Sequence, residues 1–156
     1  MEYFSPYHSP IGLLVMKSDG RSLTDLAPAS SQAGSSDLPV FQKVRSWLDA
    51  YFRNEQPDPH LLPLNPQGTT FQQAVWKQLL SVPYGETRSY GDIARAIGNS
   101  RACQAVGQAV GRNPIGIIIP CHRILGAHGQ LTGYAWGLDK KKWLLRHEGV
   151  FDIDHP

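Results

Sequence analysis

The pattern of apolar and polar positions changes character near residue 68. Before it, residues 11–16 form an apolar run, and Ser18-Asp19-Gly20-Arg21 is a turn signal. Together they predict a hairpin of residues 11–17 and 21–26. Residues 27–36 are small and polar and read as a loop. Asp37 is placed to cap a helix with Pro39 in its first turn, and Phe41, Val44, Leu48 and Tyr51 recur at helical spacing beside Trp47. This predicts an amphipathic helix over 38–53. Residues 54–68 carry four prolines and no helical period, and read as a linker with a short strand around Leu61 and Leu62.

Beyond Gly68 the periodicity is that of short helices. Thr70 can cap one that carries Phe71, Val75, Leu79 and Val82 and stops at Pro83. Ser89 can cap a second, with Asp92 as its capping-box partner, Ile93, Ala94 and Ile97 as its apolar face, and Gly98 as its stop. Asn99 or Ser100 can cap a third, small-sided helix reaching Gly111. Gly107 inside it costs about 1 kcal/mol relative to alanine, which close approach to another surface would justify. The second and third helices, joined at Gly98-Asn99, have the look of a helix-turn-helix, a weak signal alone. Four isoleucines in five positions, Ile115 and Ile117 to Ile119, predict a buried strand that Pro120 ends. Gly133-Tyr134-Ala135-Trp136-Gly137 could wall a planar pocket. Asp139 can cap a last helix carrying Trp143, Leu144 and Leu145, with Lys140, Lys141 and Lys142 in its first turn. That is the unfavourable end for cations, which points to phosphate contact or a solvated face.

The net charge of +2 matters less than its distribution. Residues 1–68 carry five basic and seven acidic groups, net −2; residues 69–156 carry ten and six, net +4. The second part is the better partner for a polyanion. No run is long enough for a membrane span, and the N-terminus lacks the pattern of a secretory signal. Two cysteines, Cys103 and Cys121, make neither a disulfide framework nor a zinc pattern, and fit a reducing, intracellular setting.

Chemistry concentrates at Pro120-Cys121-His122-Arg123. A thiol beside an imidazole and a guanidinium is in a field that favours thiolate, the nucleophilic form. Neighbouring side chains on extended backbone point to opposite faces, so Cys121 and His122 can cooperate only if the chain turns there or a water bridges them. A third group, from elsewhere in the chain, should orient the imidazole. The residues leave open a buried structural cysteine and a reactive nucleophile.

Pro120-Cys121-His122-Arg123, with Ser89-Tyr90, Asn113-Pro114, Gly133-Tyr134 and Leu144-Leu145-Arg146-His147-Glu148-Gly149, closely resembles the O6-alkylguanine-DNA alkyltransferases over about residues 69–150. The resemblance implies an α/β N-terminal domain (1–68, a short ribonuclease-H-like sheet plus helix), followed by a mostly α, helix-turn-helix, winged-helix-like C-terminal domain (69–156) for DNA binding and alkyl acceptance. It implies a monomer that needs no cofactor and no metal, works on double-stranded DNA bearing O6-alkylguanine, and is cytoplasmic, or nuclear in a eukaryote. Some members' N-terminal zinc ligands have no counterpart, because residues 1–68 lack cysteine. The resemblance makes Cys121 the acceptor, His122 its base through a water, Glu148 the group that orients His122, and Asn113 the brace of the turn. Tyr90 assists guanine as leaving group, and Tyr134, Ala135, Trp136 and Arg123 bind the base. Ser89, Tyr90, Gly91, Asn99, Ser100, Arg101 and Gln104 face DNA. Members commonly have an arginine where this chain has Gln104; Arg101, one turn earlier, is the other candidate to fill the gap left by a flipped base.

Overall fold

In a computed structural model, residues 1–29 and 34–153 are described. Two compact units emerge: Met1–Gln67 with Pro114–Gly116, and Gly68–Asn113 with the chain from residue 117 onward.

The first unit is a three-stranded antiparallel sheet, β1 (Tyr3–Ser9), β2 (Gly12–Ser18) and β3 (Leu23–Pro28), in the order β1-β2-β3, with one helix, α1 (Pro39–Phe52). The expected hairpin is present as β2 and β3. β1 had no clear apolar alternation to reveal it: Ser5, Pro6 and Tyr7 are its buried residues. Arg45 on α1 explains why a serine can be buried there, since its guanidinium donates to Ser5 Oγ and to the Pro6 carbonyl. α1 buries Val40, Phe41, Val44, Trp47, Leu48 and Tyr51 at the anticipated spacing. Its N-cap is Leu38, not Asp37, whose carboxylate instead accepts from the Gln42 side chain at 2.9 Å. The expected loop begins later than residue 27, because Ala27 and Pro28 belong to β3; residues 30–33 of it lie outside the described residues. Where a strand was expected near Leu61, a 3-10 turn, Pro59–Leu61, forms, and only Leu64 bridges to Leu23.

The isoleucine run is not a strand. Ile115 makes a single parallel bridge to Leu26, with the Leu26 amide donating to the Pro114 carbonyl at 2.9 Å and the Gly116 amide to the Leu26 carbonyl at 3.1 Å. Ile117 then turns the chain at φ +67°, a left-handed conformation that costs a β-branched residue energy. Ile117, Ile118 and Ile119 are buried in the second unit's core, so burial, rather than strand pairing, accounts for their side chains.

That unit contains α2 (Thr70–Leu79), α3 (Tyr90–Ala96), α4 (Cys103–Gly111) and α5 (Leu138–His147), with a two-stranded parallel pair, β4 (Arg88–Ser89) and β5 (Ile124–Leu125). α2 starts one residue early, because Thr69, rather than Thr70, forms a full capping box with Gln72. Ser89 and Asp92 form the expected box on α3, and Gly98 ends that helix region at φ +82°. α4 starts later than expected, at Cys103, with Ala102 as its N-cap. α5 is preceded by Gly137, and Asp139 is a first-turn residue, not its cap. The Trp76 indole donates to the Ala109 carbonyl at 2.8 Å, which fixes α2 against α4.

Candidate active site

The β4–β5 pair decides what meets at the site. Arg88 pairs with Ile124 and Ser89 with Leu125. This brings the start of α3, and so Tyr90, beside the segment that carries Cys121. That segment is a 3-10 turn, Cys121–Arg123, so consecutive side chains are not forced to opposite faces.

Cys121 is 6% exposed and lies in a cavity of about 330 Å³. Tyr90, Asn113, Tyr134, Ala135 and Trp136 share its wall. The Asn113 amide donates to the Ile119 carbonyl at 2.8 Å, closing the turn that precedes the thiol. The Tyr134 and Trp136 rings lie 5.9 Å apart at 54°. The Tyr90 hydroxyl hydrogen-bonds Thr132 Oγ1 at 2.8 Å.

His122 and Glu148 are buried together, with His122 Nε2 2.6 Å from Glu148 Oε2. A carboxylate only accepts, so Nε2 carries the hydrogen and Nδ1 keeps its lone pair. Nδ1 is buried and has no hydrogen-bond partner among the described residues. Glu148 also accepts from Arg123 Nε at 2.8 Å, Arg123 Nη2 at 3.1 Å and the Gly85 amide at 3.1 Å. Burial alone would push its carboxyl up. Hydrogen bonds from His122 and Arg123, with the Arg123 charge, outweigh that and hold it well below the usual carboxylate range. Burial pushes the His122 imidazole down, only partly offset by Glu148, so it rests neutral.

Two expectations fail here. Arg123 does not line the cavity. It is buried, bidentate on Glu148, donating to the Val82 carbonyl at 2.8 Å, with the Tyr84 ring 5.7 Å from its guanidinium carbon. Nor is the thiol activated in the resting fold: burial pushes Cys121 up, against hydrogen bonds from Asn113 and Tyr134 and the charge of Lys141. The anticipated field vanishes because His122 is neutral and Arg123 spends its charge on Glu148.

The cation near the sulfur is Lys141, which the sequence reading left on a phosphate-facing or solvated surface. It is fully buried and donates to the Ile124 carbonyl at 2.7 Å. Helical spacing could have found it, since Lys141, Leu144, Leu145 and Glu148 follow i, i+3, i+4, i+7, all buried. Thr132 and Gly85 had no comparable signal.

A second, open groove of about 880 Å³ runs along α3 and α4. Ser89, Tyr90, Gly91 and Gln104 line it, together with Arg88 and Arg95. Asn99, Ser100 and Arg101 are exposed in the turn before α4 but do not line it. Gly107 faces the Tyr90 ring, where an added Cβ would be at an ordinary 3.8 Å, so no tight contact demands glycine there. No helix of the described residues is long and apolar enough to cross a membrane.

Comparison with known proteins agrees with this geometry. Residues 70–150 match the 6-O-methylguanine DNA methyltransferase DNA-binding domain, and residues 3–66 the ribonuclease-like domain of the same proteins. The chain is 46% identical to a methylated-DNA–protein-cysteine methyltransferase of Haemophilus influenzae, covering 97% of this chain and 89% of that one. Among solved structures it resembles the Mycobacterium tuberculosis O6-methylguanine methyltransferase, with a TM-score of 0.85, 42% identity, and 99% and 97% of the two chains covered. The same mycobacterial protein in complex with DNA gives 0.84 and 45%, over 94% and 92%. A buried cysteine lining an aromatic-walled cavity, the groove along α3 and α4, and matches over both units lead to one assignment: this chain belongs to the methylated-DNA–protein-cysteine methyltransferase family.

Proposed function

We propose that this chain repairs DNA directly, moving the alkyl group of O6-alkylguanine onto Cys121 in one irreversible turnover per molecule. The observation that carries this reading is His122, held through Nε2 by Glu148 while Nδ1 keeps its lone pair next to the cysteine turn. The Cys121 proton passes through a water to Nδ1, and the Glu148 carboxylate stabilises the imidazolium that results. Sulfur then attacks the alkyl carbon: the S–C bond forms, the C–O6 bond breaks, and its electron pair leaves with guanine. The leaving group needs only a proton, which the Tyr90 hydroxyl is suited to deliver, so no cofactor enters. The product is a thioether with no hydrolysable bond, which makes the protein stoichiometric.

A thiol that is 6% exposed cannot reach a base stacked in a duplex, so the alkylated base has to be turned out into the cavity. Tyr134, Ala135 and Trp136 would hold it there, Asn113 would brace the turn, and Arg123 would act one step back, through Glu148. The groove with Ser89, Tyr90, Gly91 and Gln104 would carry the DNA, and exposed Asn99, Ser100 and Arg101 would meet its backbone. Gln104, or failing it Arg101, would fill the gap in the stack. On this reading residues 69–156 form the DNA-binding and alkyl-acceptor domain, residues 1–68 a separate α/β domain, and the protein acts as a monomer in the cytoplasm, or in a nucleus if eukaryotic.

The test is intact mass spectrometry after mixing with duplex DNA that contains O6-methylguanine. A stoichiometric gain of one methyl group is expected. Tight DNA binding without the gain would favour a regulator, and turnover of an ester or amide a cysteine hydrolase.

A further inference from the structure

Lys141 is a buried, titratable group that takes no part in the proton and alkyl transfers at Cys121. Its ammonium donates to the Ile124 carbonyl at 2.7 Å and lies 3.4 Å and 3.5 Å from the Thr132 and Gly133 carbonyls. The Tyr134 ring centroid is 6.0 Å away. Ile124 closes the 3-10 turn that carries Cys121, Thr132 holds the Tyr90 hydroxyl, and Gly133 and Tyr134 wall the cavity. One side chain from α5 thus joins two segments of the site, the end of the cysteine turn and the stretch 132–134. Among the described residues no carboxylate pairs with it; carbonyl oxygens alone solvate the charge.

We propose that Lys141 is a positioning residue of the alkyl transfer, which clips the wall of the base cavity to the cysteine turn and supplies the counter-charge for the Cys121 thiolate. The proposal rests on Cys121 being the alkyl acceptor. The titratable groups that face the ammonium are Cys121 and His122 from the turn and Tyr134 from the wall. Its charge lowers the sulfur's proton affinity and helps keep His122 neutral, as a proton acceptor must be. Burial pulls the lysine down to about 8, and the sulfur's negative charge raises it. The two groups therefore support each other's ionised forms, which a neutral side chain of the same length cannot do.

The experiment compares Lys141→Met and Lys141→Arg with the wild type in two reactions: single-turnover methyl transfer, and alkylation of Cys121 by iodoacetamide, a small reagent that needs no base pocket. Lys141→Met should raise the pH midpoint of iodoacetamide alkylation by about one unit or more, as loss of a close opposite charge does, and slow methyl transfer. Lys141→Arg, which keeps the charge in a bulkier form, should slow transfer while holding the midpoint. If both variants slow transfer with the midpoint unchanged, Lys141 is only structural and the charge role is wrong; if neither reaction changes, the whole proposal falls. Should Lys141→Met fail to fold, NMR of wild-type protein with labelled lysine side chains decides. Lys141 should titrate near 8, well below an ordinary lysine, as a buried ammonium held by carbonyls beside the sulfur does; an ordinary lysine titration overturns the proposal. Wild-type protein that takes up no methyl group would instead overturn the acceptor assignment, and so the two failures are separable.

Discussion

Replacing Glu148 with glutamine probes the polar core of the site in both stability and rate. The carboxylate accepts from His122 Nε2 at 2.6 Å, Arg123 Nε at 2.8 Å, Arg123 Nη2 at 3.1 Å and the Gly85 amide at 3.1 Å. Glutamine keeps the shape but turns one oxygen into an NH2 that must face donors. It also leaves the Arg123 guanidinium charged and buried without its partner. Breaking a buried ion pair from one side costs about 3–5 kcal/mol. At about 2–4 °C per kcal/mol for a chain of this length, the melting temperature should fall by about 6–20 °C. The rate effect is separate. The imidazolium formed on His122 loses a charge-assisted hydrogen bond of about 1.5–3 kcal/mol, which slows transfer by about 10- to 160-fold. The stability loss should also depend on pH. Glu148 is depressed in the fold, so its contribution is complete above its unfolded value of about 4.3 and is lost as pH falls toward the folded value. Wild type and variant should therefore differ fully at neutral pH and converge in acid. Thermal unfolding across pH and single-turnover transfer, measured below the variant's transition, read all three. A melting temperature within about 2 °C of wild type at neutral pH would refute the ion-pair argument. An unchanged transfer rate would refute the relay.

Three further outcomes follow from the same geometry. Gln104→Arg should raise the transfer rate on duplex DNA, because a planar cation refills the stack better than an amide, and should barely change it on a free alkylated nucleobase; an unchanged duplex rate means that Gln104 suffices or Arg101 acts. DNA affinity should fall steeply with salt and show little preference among undamaged sequences, as the +4 against −2 division of charge implies, and salt-independent binding in a titration series would contradict it. Iodoacetamide should label Cys121 with a midpoint above the free-thiol value of about 8.5, since burial pushes the thiol up, and the fold should lose stability as pH rises from there through the folded value; a midpoint below it would restore the activated resting thiolate that burial argues against.

Local signals in the sequence were reliable where local physics decides the outcome. Ser89 and Asp92 could be matched as a capping box because both partners lie within four residues. The adjacent threonines at 69 and 70 were separable only through Gln72, which reaches back to Thr69. The isoleucine run misled because β-branched density signals burial as well as strand. Its single bridge partner, Leu26, lies 89 positions away in sequence and cannot be inferred from the run itself. The Cys121–Arg123 turn resolved the adjacency problem that an extended chain would have posed. Glu148, the third group of the site, was reached through resemblance and not through spacing. Arg123, expected beside the thiol and the base, and Lys141, expected on a phosphate-facing or solvated surface, were both misplaced, because only the fold shows which cations face a buried carboxylate or a cluster of carbonyls. Arg123 does the first and Lys141 the second.

The central claim, that Cys121 is where the alkyl group ends, is tested most directly by locating that group. Wild-type protein reacted with an excess of O6-methylguanine duplex should be digested and its peptides sequenced by mass spectrometry. One methyl group on Cys121 is expected, with Cys103, exposed on α4, unmodified. Methyl on Cys103, or turnover that leaves Cys121 unmodified, would contradict the account.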